Sequence, residues 1–181
     1  MQNGWSRKIY LELPEPSQED NRPDSRRILE ALERTEGLEN RRIRFSVQTL
    51  RSLYPLCQEA AWKITATLGF DGDGFTVTRL EAGNTEGEHY GLCADLGSTT
   101  IAMQLVDLSD GKTADVYTAI NRQRAYGADV ISRIDASNKG KREELRNSIR
   151  QDLIKGGEKL PEGTRLKISR MVIGANTTMV H

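Results

Sequence analysis

Residues 92–100 read LCADLGSTT and lead directly into the alternating run IAMQLV of residues 101–106. A short apolar strand therefore delivers the carboxylate of Asp95 to a tight turn before a second strand. Gly97 lacks the Cβ that would block a close approach to a ligand. Hydroxyls that can donate to phosphate oxygens follow the glycine: Ser98, Thr99 and Thr100. Because an aspartate can also hold water on a hard divalent cation, the stretch indicates nucleotide handling, with a plain strand-to-strand turn as the alternative.

The overall composition argues against several classes of partner. The chain has 26 Lys plus Arg and 26 Asp plus Glu among its 181 residues, so its formal net charge is zero. We therefore expect neither nucleic acid nor a membrane as a partner, since an acidic surface is attracted by a strong positive field. No apolar run is long enough to cross a bilayer, and residues 1–5 lack the basic flank and apolar segment of a signal peptide. A cytoplasmic location is the expectation.

The sequence gives little support for a metal centre built from cysteines. Cys57 and Cys93 are the two cysteines, and neither has a partner at metal-ligand spacing, so we expect no cluster or zinc site from this chain alone. Cys93 lies in an apolar strand pattern, which favours a small buried thiol. Residues 71–74, DGDG, contain two carboxylates, but the other ligands of an EF-hand are missing. We interpret them as a hairpin turn.

Residues 1–38 predict a linker segment with a short strand and a helix. Apolar and more polar side chains alternate in residues 9–13 before two prolines follow, which is typical of an extended or edge segment. Pro23 then begins a helical pattern that ends near Gly37. The predicted apolar face of this helix contains Ile28, Leu29 and Leu32.

Residues 39–86 predict a small α+β middle domain. Ser46 is a suitable N-cap for a helix, which Pro55 is expected to interrupt. Residues 55–60 are then expected to form a separate helical turn or a kinked continuation. The predicted inner face of that helix contains Val47, Leu50 and Leu53. Two strand-like runs, residues 62–68 and 75–80, flank the DGDG turn and complete the domain.

Residues 87–181 predict the first, truncated part of an ATPase-like domain, and the polar residues 83–88 mark its boundary. The predicted elements are three strands, two helices and a returning strand, at residues 90–96, 99–106, 113–119, 128–136, 142–159 and 166–173. The predicted inner faces contain Val130, Ile131 and Ile134 in the first helix and Leu145, Ile149 and Leu153 in the second. This order is the opening half of a ribonuclease-H-like fold, so the fold class is α+β.

Several separated motifs carry a resemblance to a known family. Residues 95–100, DLGSTT, resemble the first phosphate motif of the actin, Hsp70 and sugar kinase superfamily of ATPases. Residues 121–134, NRQRAYGADVISRI, and residues 174–179, GANTTM, resemble the reductive activators of corrinoid enzymes, which are ATP-dependent activases of cobalamin-dependent methyltransferases. Residues 5–14, WSRKIYLELP, resemble the linker that precedes the middle domain in that family. The resemblance covers nearly the whole chain.

The resemblance implies a function for the intact protein. It implies a plant-type iron–sulfur domain before residue 1 and the rest of an ATP-binding domain after residue 181. Such an activator passes an electron to an inactive Co(II) corrinoid protein and returns it to Co(I), and ATP with Mg²⁺ makes this uphill step possible. We expect this chain to be a central fragment that alone neither transfers electrons nor turns over ATP appreciably. The open edge of its unfinished sheet is expected to promote self-association, and we expect the intact protein to be a homodimer.

The same resemblance assigns candidate site residues. Asp95 is the candidate catalytic residue and holds Mg²⁺ through water. The candidate ATP-binding residues are Gly97, Ser98, Thr99, Thr100, Gly174, Asn176, Thr177 and Thr178. For residues 176–178, an ordinary strand-to-helix junction with a capping threonine is an equal alternative.

A further group of polar residues has an open role. Arg122, Arg124 and Arg133 can meet phosphate or an acidic partner, but solvated charges explain them as well, and we favour that interpretation. Asp129 suits the first turn of a helix, where a negative charge is stabilised by the helix dipole. The family resemblance suggests instead that residues 126–129 face the active cleft or the corrinoid partner. We expect Gly127 to have a structural role.

Two other functions remain open on the sequence alone. A small-molecule kinase of the same superfamily needs a catalytic aspartate in a later strand, which this chain does not reach. The other alternative is a non-catalytic interaction module, in which the small α+β domain docks a partner and the ATPase-like part only supports that domain. A cysteine-rich stretch elsewhere in the complete reading frame favours the activator over both.

Overall fold

The computed structural model of the chain describes residues 5–176. These residues form two compact units, and the division falls between Gly87 and Glu88, within the polar segment 83–88. No described helix combines the length and the hydropathy that crossing a bilayer requires. Both units are mixed α and β structures built on a mixed sheet, so the α+β fold class is confirmed.

The first unit is a four-stranded sheet with two helices. Its elements are β1 (Ser6–Glu12), α1 (Asp24–Glu33), β2 (Ile43–Phe45), α2 (Val47–Glu59), β3 (Lys63–Phe70) and β4 (Phe75–Ala82). The strand order is β1-β3-β4-β2, with β2 parallel to β4 and the other pairs antiparallel. β1 is an edge strand, as its sequence pattern predicts. It lies in the same sheet as the hairpin of β3 and β4, so segment 1–38 contributes directly to this unit.

The core of the first unit explains its local patterns. Ile28 and Leu32 of α1 are fully buried, as the predicted apolar face requires. Helix α1 ends at Glu33, earlier than predicted. In β3, alternate residues point to one face of the sheet, and the core includes Ile64, Ala66 and Leu68. Burying one such leucine or isoleucine side chain contributes about 1.5–3 kcal/mol.

The DGDG sequence between β3 and β4 forms the predicted hairpin turn. The Asp71 carboxylate accepts hydrogen bonds from the amides of Asp73 and Gly74, at 3.3 and 3.1 Å. An ion pair with Arg44, followed by these amide bonds, lowers the pKa of Asp71 to about 2. The carboxylate is thus engaged in closing the turn.

Helix α2 begins where the sequence predicts but continues further. The Ser46 hydroxyl accepts a hydrogen bond from the Thr49 amide at 3.1 Å, which confirms Ser46 as the N-cap. A separate helical turn after Pro55 is excluded, because α2 continues through Pro55 to Glu59. Pro55 lies on the exposed side, and Arg51, whose carbonyl loses its helical donor, is exposed as well. Solvent can therefore satisfy that carbonyl.

The predicted inner face of α2 is correct only in part. Leu53 is buried, but Val47 and Leu50 are 68% and 50% exposed. Thr49 and Cys57 are buried with Leu53 instead. Thr49 can be buried on this face because its hydroxyl donates to the Val77 carbonyl of β4 at 3.0 Å.

The N-cap of α2 provides a stability test. We expect Ser46→Ala to lower the free energy of unfolding by about 1 kcal/mol, because the Thr49 amide loses its acceptor. Ser52 is exposed within the same helix, and Ser52→Ala is expected to change the free energy by less than about 0.5 kcal/mol. Urea unfolding of the two variants checks this, and equal effects would contradict the capping role.

The second unit contains the element order predicted from sequence. Its elements are β5 (Tyr90–Leu96), β6 (Thr100–Asp107), β7 (Thr113–Ile120), α3 (Val130–Ala136), α4 (Arg142–Lys159) and β8 (Ile168–Ala175). The strand order is β7-β6-β5-β8. β5, β6 and β7 are antiparallel neighbours, and β8 returns parallel to β5. A 3₁₀ turn, Arg122–Ala125, connects β7 to the segment before α3.

One face of this sheet carries the second core. Leu92, Ala94 and Leu96 alternate along β5 and are buried, and β6 adds three further buried side chains: Ile101, Met103 and Leu105. Helix α4 covers this core with Ile149 and Leu153, as its spacing predicts. Its bounds, Arg142–Lys159, also agree with the prediction.

Helix α3 differs from its predicted orientation. The expected inner residues Ile131 and Ile134 are 74% and 38% exposed, whereas Arg133 is buried. The apolar spacing was therefore misleading, because the buried contacts of this short helix are made by a guanidinium.

β8 is an edge strand of the described sheet. Met171, Val172 and Ile173 follow one another along it, and all three are exposed. Apolar side chains on an unpaired strand edge favour pairing with another chain. Self-association through this edge stays a prediction.

Candidate functional site

The candidate site lies where β5 ends and β6 begins. Asp95 is near the end of β5, and its exposed carboxylate forms no hydrogen bond or ion pair with any residue in the described range. Residues 97–99 form the connecting turn, which we call the 97–99 loop, and Thr100 is the first residue of β6. A Cβ at position 97 would lie 2.7 Å from the Thr100 carbonyl oxygen, so the turn itself requires glycine.

All three carbonyl groups of the 97–99 loop are held by two residues of the protein. The Gly97 carbonyl accepts from the Asn121 side-chain amide at 2.9 Å, and the Thr99 carbonyl accepts from the Asn121 backbone amide at 2.9 Å. The Ser98 carbonyl accepts from the guanidinium of Arg133. The loop is therefore tied to the protein through its acceptors.

The donors of the same loop are unengaged. Within residues 5–176, the backbone amides of residues 97–99 and the hydroxyls of residues 98–100 donate no hydrogen bond to another group. Because the peptide unit is planar and trans, the N–H of each peptide points opposite to its carbonyl. Holding the carbonyls of Gly97 and Ser98 thus turns the amides of Ser98 and Thr99 away from Asn121 and Arg133.

The segment after β7 connects this loop to helix α4. Asn121 is fully buried, and its side-chain oxygen accepts from the Gln123 amide at 2.9 Å. The Arg122 amide donates to the buried carboxylate of Asp152 in α4 at 3.1 Å, and the Arg122 guanidinium pairs with the same carboxylate. Gln123 donates to the Leu145 carbonyl at 2.9 Å. Three consecutive residues therefore link the loop and α4.

Arg133 is positioned by the start of helix α3. Its Nε donates to the Gly127 carbonyl at 3.0 Å, and burial lowers its pKa. Asp129 caps the helix by accepting from the Ser132 amide at 2.8 Å, and this bond lowers the pKa of Asp129. A Cβ on Gly127 would lie 2.8 Å from the Arg133 amide nitrogen, so Gly127 has a structural role here.

The interpretation of the three arginines as solvated charges requires correction. Arg133 is only 5% exposed and contacts the 97–99 loop directly. Arg122 is half-buried in its ion pair with Asp152, whereas Arg124 is exposed, as expected. Sequence reasoning did not assign Asn121 and Arg133 to the site. The available signal was their shared motif, residues 121–134, which had carried the family resemblance.

The end of β8 lies beside the end of β5. Gly174 is the register partner of Asp95 in the parallel pair, and Asn176 is exposed just after the strand. The carboxyl ends of parallel strands are a common location for ligand sites. The structure thus brings Gly174 next to Asp95, while Thr177 and Thr178 lie outside the described residues.

The two cysteines have opposite environments. Cys57 is buried in the first unit, and burial, followed by the charge of Asp24, raises its pKa to about 11. Cys93 is exposed, so the buried thiol predicted there is wrong. Strand alternation places Cys93 on the face of Asp95, opposite to the core residues Leu92 and Ala94. Residues 5–176 contain no cluster of three or more His, Cys, Asp or Glu side chains arranged to hold a metal ion.

Comparison with family models decides the family. The model of the RACo middle region matches residues 90–181, and the model of the RACo linker region matches residues 5–87. The chain belongs to the RACo family of corrinoid reductive activators. The resemblance to the reductive activators of corrinoid enzymes is thereby confirmed. In RACo terms, the first unit is the linker region, and the 97–99 loop lies in the middle region.

Individual relatives of this RACo chain agree with the family. The corrinoid activation enzyme RamQ of Eubacterium limosum is 39% identical over 51 residues, which are 28% of this chain and 9% of that protein. A solved structure of a reductive activator for corrinoid, iron-sulfur protein superposes with a TM-score of 0.76 at 28% identity. That match covers 98% of this chain and 28% of the solved chain. The RACo chain therefore spans less than a third of its solved relative.

Proposed function

We propose that this chain provides part of the phosphate site of an ATP-dependent activator that returns an inactive Co(II) corrinoid protein to Co(I). The observation that carries the proposal is the 97–99 loop. Its carbonyls are all held by the protein, whereas its amides, its hydroxyls and the neighbouring Asp95 carboxylate are unengaged among the described residues. Unengaged amides and hydroxyls suit phosphate oxygens, and membership of the RACo family supplies the corrinoid context.

The residues present fit a magnesium nucleotide. Mg²⁺ keeps several waters and is usually held through one or two carboxylates together with substrate phosphates. Asp95 would hold such a hydrated ion, and residues 97–100 would donate to the phosphates. Gly174 and Asn176 would border the nucleotide at the end of β8, together with Thr177 and Thr178. We further propose that the second unit is the opening part of a ribonuclease-H-like ATPase domain, whose other lobe completes the site.

The redox centre belongs to another part of the intact protein in this proposal. A cluster of the all-cysteine type needs four thiolates, and this sequence has two cysteines. A reduced iron–sulfur domain would give up one electron, and the Co(II) of the corrinoid protein would accept it to become Co(I). The role of the present chain is to bind the nucleotide that makes this transfer favourable. We propose a cytoplasmic homodimer whose partner is the corrinoid protein of a methyltransferase system.

The experiment that tests this function uses the complete reading frame. The intact protein is mixed with a Co(II) corrinoid protein and a low-potential reductant, and visible absorbance is followed with and without Mg-ATP. We expect Co(I), or methyl-Co(III) when a methyl donor is present, to form only with Mg-ATP. Tight nucleotide binding without any change at cobalt would contradict the proposal and favour a kinase of the same superfamily.

A further inference from the structure

We infer that Asn121 and Arg133 are positioning residues for phosphate binding, because they orient the peptide groups of the 97–99 loop. This inference rests on the proposed nucleotide site and extends it to residues that need not touch the nucleotide. Both side chains are buried, both lie outside the loop, and together they engage all its carbonyls.

The orientation of Asn121 is fixed by its own surroundings. Its side-chain oxygen is occupied by the Gln123 amide, so its NH₂ group is the end that faces the Gly97 carbonyl. Its backbone amide meanwhile holds the Thr99 carbonyl. Asn121 therefore holds both the first and the last carbonyl of the 97–99 loop.

Arg133 holds the middle of the loop and brings a charge with it. A guanidinium has donors only, so it can bind the Ser98 and Gly127 carbonyls but cannot bind the loop amides. Within the described residues, Arg133 forms no ion pair with a carboxylate. At hydrogen-bond distance its positive charge meets carbonyl oxygens, and the carboxylate of Asp129 acts on it from further away. A buried charge is screened much less than an exposed one, so it attracts an anion bound on the other side of the loop.

The consequence for the donors follows from peptide geometry. With the Gly97 and Ser98 carbonyls held toward Asn121 and Arg133, the amides of Ser98 and Thr99 face the opposite side. Phosphate would then meet donors that are already aligned, so binding would not include the entropic cost of ordering them. Without Arg133 or Asn121, either peptide plane can rotate and present a carbonyl oxygen to the phosphate instead.

Isothermal titration of the intact protein with Mg-ATP tests the inference. We expect Arg133→Met and Asn121→Asp to raise the Kd about 10- to 100-fold, because charge-assisted hydrogen bonds to the phosphates are lost. Arg124 is exposed, lies in the same segment and donates no hydrogen bond to the loop among the described residues, so Arg124→Met is the matched control and should keep the wild-type Kd. Circular dichroism gives the unfolding temperature of each variant, and each titration is made well below that temperature.

Chemical rescue separates positioning from a general structural role. In Arg133→Ala, millimolar guanidinium chloride is expected to restore part of the affinity for Mg-ATP, because it can occupy the vacated site and bind the Ser98 carbonyl. Sodium chloride at the same ionic strength should not do so. Arg133→Lys keeps the charge but not the planar fork, so its Kd should fall between those of the wild type and Arg133→Met.

The outcomes distinguish the inference from the function on which it rests. A wild-type protein that does not bind Mg-ATP would overturn both. If the wild type binds Mg-ATP and Asp95→Ala does not, but Arg133→Met and Asn121→Asp keep the wild-type Kd, the inference alone is overturned. If Asn121→Asp does not fold, the arginine series decides, and a wild-type Kd in both Arg133→Lys and Arg133→Met would overturn it.

Discussion

Asp95→Ala in the intact protein is expected to abolish the effect of Mg-ATP on corrinoid activation, so that Co(I) forms no faster with the nucleotide than without it. The carboxylate is the proposed holder of hydrated Mg²⁺, and the loop donors alone cannot neutralise the charge of a triphosphate. The absorbance assay with a Co(II) corrinoid protein measures this result directly. Since the Asp95 side chain is exposed and forms no hydrogen bond or ion pair with a described residue, we expect the free energy of unfolding to change by less than about 0.5 kcal/mol.

Asp110→Ala is the control for this prediction. Asp110 is an exposed aspartate in the turn between β6 and β7, at the other end of β6 from the 97–99 loop, and it pairs with Lys112. Its removal should leave activation by Mg-ATP unchanged. An Asp95→Ala protein that still responds fully to Mg-ATP would show that the carboxylate has no part in nucleotide use.

Gly156→Val is expected to cause a large loss of stability. Gly156 is buried where α4 crosses the sheet, and a Cβ there would lie 2.2 Å from the Met103 sulfur and 3.0 Å from Tyr117 Cδ1. Because Met103 is itself buried in the core, it has little free space into which it can move. Overpacking of this kind costs about 1–3 kcal/mol, which urea unfolding of the chain will detect.

Gly157, the next residue of α4, provides the matched control for Gly156→Val. A Cβ on Gly157 would meet no atom within 4 Å, and Gly157 belongs to the same turn of α4. Gly157→Val introduces the same residue, with the same low helix propensity, into the same helix. The difference between the two variants in the free energy of unfolding therefore isolates the packing effect. Equal unfolding midpoints would mean that α4 does not lie as closely on β6 and β7 as the structure shows.

Long and regular patterns were predicted well from the sequence. The bounds of α4 and the alternation along β6 were correct, because each pattern extends over several turns or residue pairs and local propensity agrees with burial. The N-cap at Ser46 was correct because a single side chain satisfies a specific backbone donor. The loop at residues 97–99 was located by its composition, and its role in nucleotide binding stays a prediction.

The errors in α2 and α3 share a physical cause, since each concerns a buried polar side chain. In α2, Thr49 is buried because its hydroxyl donates to the Val77 carbonyl, and apolar spacing cannot show such a bond. In α3, the guanidinium of Arg133 is buried because carbonyls satisfy it, and periodicity cannot show such acceptors. Cys93 was assigned by residue type, whereas its position between Leu92 and Ala94 already placed it on the other face of the strand.

The contrast between the two thiols also gives the chain a selective point for chemical labelling. Thiolate is the reactive form of cysteine, and Cys57 is both buried and held protonated at neutral pH by its raised pKa. Within this chain, a maleimide dye therefore couples preferentially to exposed Cys93. The dye then sits on the strand face that carries Asp95. Its fluorescence can follow events beside that carboxylate without a corrinoid protein or an electron donor in the cuvette.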